Sequence, residues 1–376
     1  MALITYLTRI QFDFGALKLL KEELAALKVT RPLIVTDKGV VKAGLAERVH
    51  NAVAGPIAAT YDETPANPTE RATAAATAVY RESGADGVVA VGGGSSMDLA
   101  KAVALLATHP APLRQYAMIE GGVPRIGANV APVVAIPTTA GTGSEVGRGA
   151  VIVFEDRRKL ALISPHLIPR LALCDPELTF GLPPAITAAT GLDAFAHCVE
   201  TFLSPAINPP AEAIALDGAG RIARHLERVV TDGQDREARW NMMMAAMEGA
   251  MAFQKGLGAV HALSHPLGGL EGLTLHHGTL NAVVMPAVLR FNAPAVGDKY
   301  ARLAQTLGLP AGVDLPRWVS DFNRRLGMPP NLKAMGVTQA HADALVDAVL
   351  ADHCAATNPR KMTRTDVQSL FADALG

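Results

Sequence analysis

Gly87-Val-Val-Ala-Val-Gly-Gly-Gly-Ser-Ser-Met-Asp-Leu-Ala100 decides the fold class of this 376-residue chain. A short apolar run, Gly87 to Val91, meets glycines 92–94 and then a helical pattern from Met97 to Ala107. A buried strand that ends in glycines and feeds a helix is the opening of a βαβ unit. The glycines let backbone N–H groups approach a pyrophosphate, and a helix N-terminus there adds partial positive charge. A plain strand-to-helix turn would read the same way. The GxGxxG of the usual dinucleotide fingerprint is missing after the first strand.

The rhythm extends to both sides of this stretch. Leu33–Thr36 reads as a buried strand with a helix from Val40 to Val53. Ile57–Tyr61 reads as a second strand, followed by a helix over about Thr69–Glu82. Val133–Ile136 reads as a further strand, closed by Pro137-Thr-Thr-Ala-Gly-Thr-Gly-Ser-Glu145, with short strands at Ala150–Phe154 and Leu171–Cys174. Asp37 follows the first of these strands, where its carboxylate could accept from ribose hydroxyls or cap the next helix. Repulsion of a 2′-phosphate by that carboxylate would favour NAD over NADP. Thr138, Thr139 and Thr142 lie on another loop at the same sheet edge, the geometry of a nucleotide crevice.

Beyond Asp175-Pro-Glu-Leu-Thr-Phe-Gly-Leu-Pro-Pro184 the periodicity is helical, which places a boundary near residue 180. The expected architecture is an α/β Rossmann-like domain over 1–180 and an all-α domain over 181–376. In the second half, Gly191-Leu-Asp-Ala-Phe-Ala-His197 sets Asp193 and His197 four residues apart, one turn along a helix face. Such a pair is more often a surface ion pair than a metal site. Histidines further along the chain shift that balance. Of the 11 in the chain, His261, His265, His276 and His277 crowd one apolar window. Together with the Asp/His pair they argue for a mixed oxygen/nitrogen site for iron or zinc. The Met-rich stretch Met242–Met251 reads as core filler.

Composition narrows the function classes. With 34 basic against 35 acidic residues, nothing favours nucleic acid or an anionic membrane as partner. No apolar run approaches the ~20 residues of a membrane span, and no basic-then-apolar leader opens the chain. The scattered Cys174, Cys198 and Cys354 read as reduced thiols of a cytoplasmic protein.

Read in order, PTTAGTGSE, DPELTFGLPP, ATGLDAFAHCVETFLS, VHALSHPLGG and HHGTLNAVVMP resemble the iron-dependent (group III) alcohol dehydrogenases along nearly the whole chain. TDKGVV, DETPANPTE, AMAFQKGLG and LHHGTLNAVVMPAVLRFN resemble that family's 4-hydroxybutyrate dehydrogenase branch. The resemblance implies a dehydroquinate synthase-like fold with a catalytic Fe2+ (or Zn2+) between the domains and NAD as hydride acceptor. Matched by position, Asp193, His197, His261 and His277 are the metal ligands, and His265 is a proton-transfer residue. Gly93, Gly94 and Ser95 match the pyrophosphate loop, and Asp37 matches the ribose contact. Thr138, Thr139 and Thr142 match the nicotinamide end, and Asn67 with Lys159 the cofactor cleft. His276 stands where the family has proline, a departure that leaves His276 as the alternative ligand, while His277-Gly278 matches the family's ligand position better.

For 4-hydroxybutyrate, Gly149 would give room, Phe253 and Leu257 apolar walls, and Lys255 a cation, with Arg148 second. Lys255 could instead be a solvated lysine at a helix end. The rival functions are oxidation of another short alcohol or diol, such as lactaldehyde/propanediol, and a metal- and NAD-dependent lyase. A non-catalytic nucleotide- or metal-binding protein is the rival outside enzymes. A homodimer or larger homo-oligomer is expected.

Overall fold

The computed structural model describes residues 8–376; residues 1–7, where the expected first domain opens, lie outside the described residues. The chain forms two compact units. One comprises Leu182–Gly376 with Ala140–Thr142, the other the described residues to Thr139 with Gly143–Gly181. A single boundary near 180 makes no provision for Ala140–Thr142.

The α/β unit contains β1 (Arg9–Phe12), β2 (Pro32–Val35), β3 (Ala59–Tyr61), β4 (Gly87–Gly92), β5 (Val133–Pro137), β6 (Gly149–Val153), β7 (Lys159–Ile163) and β8 (Leu171–Cys174). Its helices are α1 (Leu20–Ala26), α2 (Lys38–Lys42), α3 (Leu45–Val53), α4 (Glu70–Glu82) and α5 (Gly94–Thr108). Six strands pair in the order β1-β8-β5-β4-β2-β3, all parallel, while β6 and β7 form a separate antiparallel ribbon. Every residue of β4 is buried. Val88 and Ala90 enter one core and Val89 and Val91 the other, as expected of a sheet covered on both faces. From β2 the chain runs to β3 on one side and returns to β4 on the other. The carboxyl ends of β2 and β4 therefore flank a topological switch point, where open parallel sheets bind ligands.

Several elements differ from the sequence reading. The helix expected over Val40–Val53 is two helices, because Gly44 takes the left-handed conformation (φ 74°) that glycine adopts without strain. Helix α5 starts at Gly94, three residues before Met97, since two of the glycines already belong to its entry. Strands β1 and β7 were not anticipated.

The helical unit contains α6 (Pro184–Leu203), α7 (Pro209–Thr231), α8 (Arg236–Ala252), α9 (Ala259–Leu267), α10 (His277–Asn292), α11 (Lys299–Thr306), α12 (Leu315–Arg325), α13 (Gln339–Ala351) and α14 (Arg364–Leu375). Helix α6 starts with proline at its first turn and is buried on all sides over most of its length. It packs against α7, α8 and α10. Among the described residues, no helix is long and apolar enough to cross a membrane.

Helices α6 and α10 meet without side-chain clearance at Gly278. A Cβ there would stand 2.1 Å from the Ala189 carbonyl oxygen and 3.1 Å from the Asp193 Cβ. Backbone cannot yield as a flexible side chain does, so Gly278→Ala must separate the two helices. We expect it to lose at least about 1–3 kcal/mol, as overpacked cores do, and to lower metal retention. Thermal denaturation and metal analysis check this. Unchanged melting and metal content would mean that the contact has slack.

Candidate active site

Asp193 and His197 sit one turn apart on α6, buried. Helix α9 brings His261, α10 begins with His277, and the three imidazoles converge on one carboxylate oxygen. From Asp193 Oδ1 to Nε2 the distances are 3.9 Å for His197, 3.8 Å for His261 and 3.6 Å for His277. These are too long for hydrogen bonds. They approach the ~3.4 Å edge of a tetrahedron whose ligands lie ~2.1 Å from a central cation. One carboxylate with three imidazoles, in this spacing, fits a divalent transition metal. His276, the preceding residue, is the exposed cap of α10.

The surrounding groups hold this arrangement. Glu200, one further turn along α6, accepts from the Val260 N–H at 2.6 Å and lies 2.6 Å from His261 Nδ1. Burial disfavours a charge on His261, but that hydrogen bond and the Glu200 charge outweigh it and raise its pKa. His197 has no such close partner, and burial pushes it down to about 4. Asn281, one turn after His277, donates from Nδ2 to Asp193 Oδ1 at 2.7 Å. The same nitrogen is 3.2 Å from Nε2 of both His261 and His277. Phe253 sets an edge against His197, with ring centroids 5.4 Å apart. Cys198 faces away: its sulfur would meet a Cβ at Gly218 at 2.8 Å.

His265, one turn after His261, stacks on His277 at 5.5 Å and 13°, and its Nδ1 lies 2.9 Å from Asp352 Oδ2. Burial alone would raise the Asp352 pKa, but His265 holds it down at about 2. The sequence reading missed Glu200, Asn281 and Asp352. Two of them carried a signal: Asp193, His197 and Glu200 recur at i, i+4 and i+7, and Asn281 stands four after His277. Asp352 comes from beyond α13 with no local clue.

In the α/β unit, the first turn of α5 lacks a side-chain cap, whereas Asp37 caps α2 and Thr69 caps α4. Its leading N–H groups, at Gly94 and Ser95, thus stay available to an anion. Asp37 does cap α2, accepting from the Val40 N–H at 3.0 Å, and its other oxygen accepts from Ser96 Oγ at 3.1 Å across the switch point. Ser95 Oγ donates to the Ala66 carbonyl, and Lys159 Nζ donates to Asn67 Oδ1 at 3.3 Å. Thr138 N–H bonds to the Gly92 carbonyl at 2.9 Å, and Thr139 Oγ1 would be 3.3 Å from a Cβ on Gly93. These residues therefore gather around one loop cluster. Thr142 groups with the helical unit instead.

The substrate-pocket residues fare unevenly. Gly149 has room, for a Cβ there would meet nothing nearer than the Leu162 carbonyl at 3.9 Å. Arg148 is exposed at the start of β6, and Leu257 is half-buried. Lys255 is neither a substrate cation nor a solvated lysine. Its side chain is 0% exposed, and Nζ donates to the carbonyls of Thr201 (2.9 Å), Phe202 (3.2 Å) and Ser204 (2.6 Å) and pairs with Glu212 (3.1 Å). Burial pushes its pKa down to about 8, against the pull of Glu212.

Three substitutions test the cation site. His277→Ala is expected to lose bound metal, whereas His276→Ala, at the exposed cap, keeps it to within about tenfold. Glu200→Gln keeps one acceptor but no charge behind His261, and should weaken metal binding by about 10–100-fold. Chelator competition measures all three. Equal loss in both histidine variants would mean that His277 has no special place.

Residues 8–176 match the family model "Iron-containing alcohol dehydrogenase" and 187–375 its C-terminal counterpart. The chain is 58% identical over 382 residues to the 4-hydroxybutyrate dehydrogenase of Cupriavidus necator, with both chains covered in full. A 1,3-propanediol oxidoreductase structure superposes with TM-score 0.93 at 33% identity, covering 99% of this chain and 100% of the other. The NAD+ complex of sulfoacetaldehyde reductase from Bifidobacterium kashiwanohense gives 0.91 at 27%, covering 100% and 99%. With both family models matched and a full-length relative at 58% identity, the chain is a member of the iron-containing alcohol dehydrogenase family, an oxidoreductase.

Proposed function

We propose that the chain catalyses the reversible NAD-linked oxidation of 4-hydroxybutyrate to succinate semialdehyde. The observation that carries this reading is the full-length 58% identity to a 4-hydroxybutyrate dehydrogenase. Asp193, His197, His261 and His277 would hold Fe2+ (or Zn2+), a Lewis acid toward an alcohol oxygen, and NAD would take the hydride. Glu200 keeps His261 oriented, and Asn281 keeps Asp193 in place. Asp352 accepts from His265 Nδ1, which leaves His265 Nε2 as the lone pair able to receive the substrate hydroxyl proton. Gly94 and Ser95 would present N–H groups to the pyrophosphate, with Asp37, Asn67, Thr138, Thr139, Thr142 and Lys159 as further cofactor contacts. Phe253 and Leu257 would offer apolar surface to the substrate. Arg148 is the remaining candidate for its carboxylate. Cys174, Cys198 and Cys354 are all free and buried, which suits a reducing, cytoplasmic setting, and sedimentation would size the expected homodimer or larger oligomer.

Steady-state kinetics with 4-hydroxybutyrate, 1-butanol and 1,3-propanediol tests the substrate. We expect kcat/KM to favour 4-hydroxybutyrate by at least about tenfold (~1.4 kcal/mol), and Arg148→Ala to erase that preference while sparing 1-butanol. A preference for either neutral alcohol in the unaltered enzyme would refute the assignment. Asp37→Asn tests the cofactor, because asparagine caps a helix as well as aspartate does but carries no charge. The variant should gain kcat/KM with NADP relative to NAD by about tenfold, on the scale of one charged hydrogen bond. An unchanged ratio would leave Asp37 as a helix cap alone.

A further inference from the structure

We infer that His265, Asp352, His353 and Cys354 form a second cation site, suited to Zn2+, beside the first. Each of the four offers one ligand atom, and these atoms all lie within 4.8 Å of one another. Helix α9 supplies His265, and the turn that follows α13 supplies the other three in succession. Asp352 presents Oδ2 to His265 Nδ1 at 2.9 Å, while Oδ1 accepts from the Cys354 N–H at 2.8 Å and lies 3.7 Å from His353 Nδ1. His353 Nε2 is 3.5 Å from Cys354 Sγ. That matches the ~3.5 Å edge between nitrogen and sulfur on a tetrahedral zinc with bonds of ~2.05 and ~2.3 Å.

A hydrogen-bonded His265–Asp352 pair needs neither a thiol nor a second imidazole. Here both are present, and the His353 ring lies nearly parallel to His265, with centroids 5.8 Å apart and planes 17° apart. Sulfur, two nitrogens and one oxygen form a softer set than the carboxylate and three imidazoles of the first site, which favours zinc over iron. Burial is graded around the cluster. Cys354 is 2% exposed, the Asp352 and His265 side chains 10% and 11%, and His353 25%. Entry is therefore from the His353 side. On binding, the ion would displace the Cys354 thiol proton to solvent, and the His265 proton would pass by way of solvent from Nδ1 to Nε2, freeing the Nδ1 lone pair to ligate.

The site shares His265 with the proposed proton transfer, so its test counts metal instead of turnover. Protein loaded anaerobically with Fe2+ is titrated with Zn2+, freed of excess metal, and both elements are measured per chain. We expect about one iron retained and about one zinc gained. His353→Gln, a change at the most exposed member, should weaken zinc binding at least about tenfold without altering iron content. Co2+ in place of Zn2+ should give a thiolate-to-cobalt charge-transfer band that Cys354→Ala abolishes. The buried Cys354 substitution needs a thermal melt beside it. If that variant does not fold, the cobalt band of the unaltered protein and its loss in His353→Gln decide. Zinc that merely replaces iron, zinc retained in full by His353→Gln, or cobalt bound without a thiolate band would each overturn the site.

Discussion

Three imidazoles surround one carboxylate oxygen, with Asp193, His197 and His261 buried and His277 half-buried, and the helical unit is organised to tolerate this. Asp193 is 5% exposed, His197 5% and His261 1%. A carboxylate facing three imidazole lone pairs is unfavourable in a low-dielectric interior unless a proton, a donor or a cation sits among them. Asn281 supplies a donor, with one amide nitrogen directed at the carboxylate and at two of the ring nitrogens. A divalent cation would supply far more. The cluster is thus poised to bind metal, and metal binding in turn stabilises the helices that carry it.

The α/β unit carries its own buried charge, beneath the loop that follows β5. Lys101 on α5 is 0% exposed, and its Nζ donates to Ser144 Oγ (2.7 Å) and to the carbonyls of Gly147 (2.9 Å) and Gly149 (2.8 Å). Ser144 passes the contact on to Asp98 Oδ1 at 2.6 Å, and Asp98 Oδ2 accepts from the Val151 N–H at 2.9 Å. Burial pushes Lys101 down to about 8 and Glu145 up to about 7. The helix whose N-terminus is open to an anion is therefore fastened to the loop beside it by a largely buried ionic network. Such fastening limits the reorganisation that a bound dinucleotide would otherwise require.

Those contacts also show what a sequence can and cannot reveal. Strand β4 and helix α5 were legible because burial on both faces leaves an unbroken apolar run, and the glycines punctuate it. Leu171–Cys174 was legible for the same reason. Strand β1 was not: at the sheet edge, Arg9-Ile-Gln-Phe12 alternates too briefly to register, and pairing with β8 across about 160 residues decides it. His261 and His265 were visible as a crowded pair, but Asp352 lies 87 residues from His265. Only tertiary folding brings such partners together. Asp37 shows a third case, where both readings of one carboxylate are compatible, since capping uses one of its oxygens and leaves lone pairs on the other.

Lys255 is the instructive failure. A lysine near histidines and glycines suggests a partner for an anionic substrate, yet its ammonium is directed inward at the last carbonyls of α6. Lys299 joins it there, donating to Phe202 at 2.8 Å and Ser204 at 3.1 Å, with Glu212 as their shared counter-charge. Cations at a helix C-terminus satisfy orphan carbonyls and oppose the partial negative charge of the dipole. Helix α6 is also the one that carries Asp193, His197 and Glu200. Two ammonium groups fixed at its end, together with the bare Gly278 contact along its side, restrain that helix in both translation and rotation. Lys255 therefore belongs to the site after all, through the helix that it holds in register with α9 and α10.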